Sequence, residues 1–192
     1  MVIRTITASI AVAFVLGSGM VQAADQGAYL GVGLGQTKVK DACEGFTTCD
    51  DTDTGVKLFG GYQFIPNAAV EIGYVDLGKA KLSLPGASVE FKAHGFDVDF
   101  VGTLPLNDQF AVLARVGMFF WKVDVSGTGL ANSSSASGND LTYGLGLAYD
   151  VSKKVSVRFE WQQFKDLGDS TLNLGPTKDT DLLYASMVFR IN

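Results

Sequence analysis

Long apolar runs are missing from this 192-residue chain once its first 23 residues are passed. A membrane-crossing helix needs about 18 or more such residues in succession, so helical spans are excluded there. Histidine occurs once, as His94, and cysteine only at Cys43 and Cys49. That is too little, and wrongly spaced, for the tetrahedral ligand set of a structural zinc centre. Basic residues are in deficit as well: 15 lysines and arginines against 20 aspartates and glutamates leave a net charge of −5. Nucleic-acid partners call for clustered basic residues, so none is expected.

What the chain does have is 47% hydrophobic residues, a mean hydropathy of +0.21 and 23 glycines. The first 23 residues read as a signal peptide. Arg4 supplies the positive start, Ile6 to Leu16 is an apolar run of the right length, and Val21-Gln22-Ala23 places small or branched residues before a cleavage expected ahead of Ala24. Residues 24–192 then form one domain with a formal charge of −6, since Arg4 is the sole charged residue removed.

Within that domain several segments alternate strictly, the mark of strands with two unlike faces. Val155, Val157, Phe159 and Trp161 oppose Ser156, Arg158, Glu160 and Gln162. Leu141, Tyr143, Leu145, Leu147 and Tyr149 oppose a face of Thr142, glycines, Ala148 and Asp150, and Leu183 to Ile191 repeats the pattern. The second face mixes glycines with isolated charges, as a narrow interior demands. The apolar face carries Tyr62, Phe64, Tyr74, Phe110, Tyr149, Trp161 and Phe189 near strand ends, where a membrane barrel sets its aromatic girdles.

Short connections rich in turn formers fall at Ile65-Pro66-Asn67, Leu106-Asn107-Asp108 and Asp150 to Lys154. Long ones are expected at 40–53, 79–88, 126–139 and 167–179. Seven connections make eight strands, near 27–39, 54–64, 68–78, 89–104, 109–125, 140–150, 155–166 and 180–191. The predicted fold is all-β, an eight-stranded antiparallel up-and-down transmembrane β-barrel. Both termini lie on the short-turn side, which is periplasmic in bacterial barrels.

Gly60-Gly61-Tyr62-Gln63-Phe64, a Pro-Asn turn and Val70-Glu71-Ile72-Gly73-Tyr74-Val75-Asp76-Leu77-Gly78 resemble the second hairpin of OmpA-like outer-membrane barrels. Ala114 to Gly117 with Trp121 to Asp124 is similar to that family's fifth strand, Val157 to Gln162 to its seventh, and Val188 to Ile191 to its last. The resemblance covers the transmembrane domain. It includes no counterpart of the peptidoglycan-binding domain of full-length members, so cell-wall anchoring is not expected. Ile191-Asn192 stands where a terminal aromatic is usual.

The inward phase holds Lys57, Glu71, Asp97, Asp99, Arg115, Arg158, Glu160 and Arg190. Charges in so narrow a barrel each need an opposite partner, and these are read as an interior ion network. The resemblance places Glu71 and Arg158 in the family's central cluster. It also puts Val101 and Ala148 where the family has a lysine and an acid, so Asp97 or Asp99 is expected to pair with Arg115. The network reads as a fixed plug, with an ion-passing gate as its rival.

Cys43 and Cys49, in a predicted loop of an exported chain, read as a disulfide. Asp50, Asp51 and Asp53 are a weak divalent-metal candidate, because a calcium loop needs further oxygen ligands and a late glutamate, and position 62 is Tyr62. Gly31-Val32-Gly33-Leu34-Gly35 lacks the spacing of a nucleotide-binding turn and reads as relief of crowding inside the first strand. His94 has no marked serine nucleophile beside it, so catalysis and cofactors are not expected.

The reading that results is a monomeric structural protein of the bacterial outer membrane. It supports envelope integrity, contacts the bilayer and lipopolysaccharide, and displays four loops for adhesion or recognition of a surface ligand. A narrow pore or hydrophobic-ligand conduit, and a lipid A-modifying enzyme, are the alternatives.

Overall fold

Alternation in the sequence becomes alternation in space. The computed structural model describes residues 26–40, 49–50, 52–84, 87–128, 134–167 and 178–191. They build eight long strands: β1 Gly27–Val39, β2 Thr52–Ile65, β3 Ala68–Leu84, β4 Ala87–Pro105, β5 Phe110–Thr128, β6 Ser134–Asp150, β7 Val155–Leu167 and β8 Lys178–Ile191. Each pairs antiparallel with its sequence neighbours, and β1 also pairs with β8 from Ala28↔Ile191 to Val39↔Thr180. The sheet is a closed barrel with no free edge along its wall.

Tracing cross-strand partners around the wall from Tyr29 gives Gly61, Glu71, Asp99, Gly117, Thr142, Phe164 and Thr180. The path re-enters β1 at Val39, ten residues from its start. For eight strands this stagger corresponds to a tilt of about 40° and an interior that side chains just fill.

The two faces are inverted relative to a water-soluble protein. Leu34 is 62% exposed, while Lys57 is 1% exposed. The girdle residues Tyr62, Phe64, Tyr74, Phe110, Tyr149 and Phe189 all face outward. Such a surface is stable only against acyl chains, and only a closed sheet or a helix satisfies its backbone there. Inside, Phe59 lies across Gly31, where a Cβ would come within 2.2 Å of its ring. The glycine run of β1 therefore makes room for aromatic side chains of other strands.

Inward side chains stack in three layers. Tyr29, Phe59, Ala69, Val101, Leu113 and Val188, with Ala148, form an apolar layer toward the short turns. Val75, Leu77, Phe119, Trp121, Val123, Phe164, Leu182 and Tyr184 form a second toward the long hairpins. Between them lie the charged residues.

Two connections differ from expectation. β3 and β4 stay paired to Leu84↔Ala87, and β5 and β6 to Val125↔Ser134, so the stretches 79–88 and 126–139 are largely ribbon rather than loop. Lys79-Ala80-Lys81-Leu82-Ser83-Leu84 itself keeps a strand's period of two. Within the first long connection, Cys49 and Asp50 pair with Leu82 and Lys81. A bulge at Leu77 and Gly78 steers β3 into its ribbon. Gly78 has φ of +74°, its N–H donates to Asp76 Oδ1 (2.9 Å), and Asp53 Oδ2 accepts from Lys79 N–H (2.7 Å).

Candidate functional site

The middle layer is built by strand phase. Lys57 on β2, Glu71 on β3, Asp97 and Asp99 on β4, Arg115 on β5, and Arg158, Glu160 and Gln162 on β7 all point to the axis, and all are buried. Register sets their heights: Glu71 lies beside Asp99, and Asp99 beside Gly117. Gly117 is required there, because a Cβ would approach Asp99 Oδ1 to 2.3 Å.

Arg115 is the hub. Its Nη1 meets Asp99 Oδ2 at 2.9 Å and Glu71 Oε2 at 3.1 Å, while its Nε and Nη2 both donate to Glu160 Oε2. Arg158 Nη1 donates to Glu71 Oε1 (2.6 Å), which also accepts from the Tyr29 hydroxyl (2.7 Å). Lys57 Nζ bonds Asp97 Oδ2 and Gln162 Oε1, the latter at 2.8 Å, and stands 3.5 Å from Asp99 Oδ2. Gln162 Nε2 in turn reaches Thr142 Oγ1 at 2.9 Å and Asp97 Oδ2 at 3.1 Å. The Arg158 guanidinium lies 5.1 Å from the Tyr29 ring centroid. Charges withdrawn from water are held only by such dense pairing.

Seven of the eight charged residues read from the inward phase thus meet in one layer. Asp99 takes the Arg115 contact and Asp97 the Lys57 contact. Arg190 is a correction. It stands at the short-turn mouth, with Nη2 on Asp150 Oδ1 (2.9 Å) and Nη1 on Lys153 O (3.3 Å). Its phase is inward, but Val188 and the apolar layer separate it from the network, and, partly buried, it finds a partner at the rim.

Thr142 and Gln162, and the hydroxyl that Tyr29 extends from the apolar layer, bond into the network without charge, so a search for charges passes over them. Their inward phase was the available signal. Among the acidic candidates, Asp53 caps backbone amides of Thr54 and Lys79. No group of three or more potential metal ligands occurs among the described residues. Asp51, Cys43 and the Cys43–Cys49 pairing lie outside the described residues, as does the side chain of Asp50. His94 faces outward, its ring 6.3 Å from Tyr74 and its Nδ1 4.0 Å from Asp124 Oδ2, without a hydrogen-bond partner.

Comparison with known proteins agrees with this geometry. The OmpA-like transmembrane domain matches residues 23–192. Outer membrane protein A of Salmonella typhi is 27% identical over 169 residues, covering 84% of this chain and 47% of that protein. The chain therefore spans about half the length of this curated relative. The crystal structure of Neisserial surface protein A superposes with a TM-score of 0.63 at 12% identity, covering 85% of this chain and 97% of that one. Ail of Yersinia pestis, crystallised with the heparin analogue sucrose octasulfate, gives 0.58 at 16% identity, covering 87% and 99%. These two likenesses show the shared fold.

Proposed function

Because the chain belongs to the OmpA-like transmembrane domain family, and so to the bacterial outer membrane, we propose that it is a sealed structural barrel. It reinforces the envelope and presents its long hairpins for adhesion or recognition. Residues 1–23 direct export and are cleaved before Ala24. The interior network of Lys57, Glu71, Asp97, Asp99, Arg115, Arg158 and Glu160 is a fixed plug.

One observation carries this reading. The ionic layer is closed on both sides by apolar layers, with Val101 1%, Phe119 0% and Phe164 0% exposed. An ion crossing the barrel would shed its water against hydrocarbon twice, at a cost of several kcal/mol or more. A pore reading and a lipid A-modifying reading gain no comparable support.

The test is conductance in planar bilayers, with wild type beside Glu71→Ala. Expected are no steady current for wild type and none introduced by the variant. Channel-like steps in wild type that the variant alters would replace the plug with a gate. A strain lacking the protein should also leak to detergent, as an envelope support predicts.

A further inference from the structure

On the lipid-facing side, three adjacent strands carry an ionic row set on an aromatic one. Tyr74, Phe96 and Phe120 are register partners on β3, β4 and β5, and the Tyr74 and Phe96 rings meet edge-on at 5.3 Å. Such aromatics mark the border between acyl chains and headgroups. Two residues further toward the long hairpins, the same strands bear Asp76, His94 and Lys122, again register partners. Lys92 and Asp124 follow as the next pair. The row ends at Val56 on β2 and Ser137 on β6, both uncharged.

These charges share the phase of the lipid-facing aromatics, so they meet headgroups rather than the barrel axis. Lys92 Nζ lies 3.0 Å from Asp76 Oδ2, and Lys122 Nζ 3.2 Å from Asp124 Oδ1. An ammonium has three donors, so each lysine keeps donors to spend. His94 stands between the two lysines with its Nδ1 enclosed, out of reach of a headgroup.

The polar row on the far side of the barrel is different. There the Tyr143 hydroxyl donates to Gln163, and Gln163 Nε2 donates to Asp181 Oδ1 (3.0 Å), so the groups satisfy one another.

We propose that Lys92 and Lys122 form a binding site for the phosphate of an outer-leaflet glycolipid, seated on the Tyr74–Phe96–Phe120 shelf. The aromatic shelf supports the acyl end and the cations take the headgroup, an arrangement that a free anion would leave half unused. This rests on the outer-membrane reading of the chain.

The test uses the full-length mature barrel refolded in nanodiscs of phosphatidylcholine doped with lipid A. A chelator is present, so that Asp76 and Asp124 cannot recruit lipid through a divalent ion. Lipid A retained per barrel is counted by mass spectrometry after exchange into detergent. Heat-dependent gel migration reports separately whether each variant is a folded barrel, so failure of the barrel reading and failure of the site look different.

Retention should fall about fivefold in K92Q/K122Q, as expected for two half-exposed ion pairs, and about twofold in either single variant. The remote pair K38Q/K165Q should match wild type. Equal retention in all variants, or equal loss in the remote pair, overturns the site. Inorganic phosphate binding as tightly as lipid A overturns the glycolipid assignment.

Discussion

Arg158 and Glu71 lie 87 residues apart in sequence and meet at 2.6 Å near the barrel axis, where Tyr29 donates to the same carboxylate oxygen. Three strands, β1, β3 and β7, are thereby joined across the interior. The bond is an internal strut, and its partners have no water to fall back on.

Glu71→Ala strands Arg158 and removes one acceptor from Arg115. Breaking a buried pair on one side costs about 3–5 kcal/mol. Urea unfolding of the barrel in lipid vesicles should register a loss of that order. Glu71→Gln keeps an acceptor and should lose less. Equal losses for the two would show that the charge is immaterial.

Phe119 and Phe164, with ring centroids 4.6 Å apart, close the interior toward the long hairpins. Truncating both to alanine removes much of that seal. Solvent should reach Lys57 and Gln162, and a cysteine placed at Gln162 in the truncated background should react with a polar maleimide added from outside. The same cysteine with both phenylalanines intact should be inert.

Gly31→Val drives a side chain into Phe59. The variant should fold poorly, judged by the heat-dependent gel shift. Adding Phe59→Ala empties the contested space and should restore a folded fraction. If the double variant is no better than the single, crowding is not the reason for glycine there.

At the long-hairpin rim, outside the membrane-spanning part, Asp179 Oδ2 accepts from Lys165 Nζ (2.6 Å), and Asp179 Oδ1 from the Asp166 N–H (3.3 Å). Burial pushes the Asp179 carboxyl up, but these bonds outweigh it and hold the group below its usual range. A carboxylate depressed in the folded state stabilises above its unfolded pKa and loses that contribution as pH falls through the folded value. Protection factors of the amides at the β7–β8 end, taken relative to the intrinsic exchange rate at each pH, should therefore fall below about pH 4. An end equally protected at pH 3 and 7 would contradict the assignment.

The barrel was legible in the sequence because lipid and a narrow core make opposite demands on alternate residues. Leu145 and Phe159 face out, and Glu160 and Arg158 face in, as their spacing states. Partner choice was not legible to the same degree. Lys57 pairs with Asp97 directly, and a neutral amide, Gln162, contacts both; inward phase places that glutamine inside, but nothing in its type marks it as a member of an ion layer. Arg190 shows the converse limit: phase gives direction, whereas height along the axis decides whether a charge is walled in or sits at a wet mouth. The ribbons beyond the wall escaped for a third reason. Polar residues such as Ser135 and Ser137 pair through backbone alone, so their side chains look like those of a loop.

The seam between β1 and β8 has a consequence for biogenesis. The barrel's first strand in chain order and its eighth are mutual neighbours, paired from Ala28 to Val39 of β1. Until the final segment arrives, the growing wall carries two raw margins whose amides and carbonyls no acyl chain can satisfy. Insertion must therefore wait for all eight strands or be sheltered by something that caps both margins in the meantime.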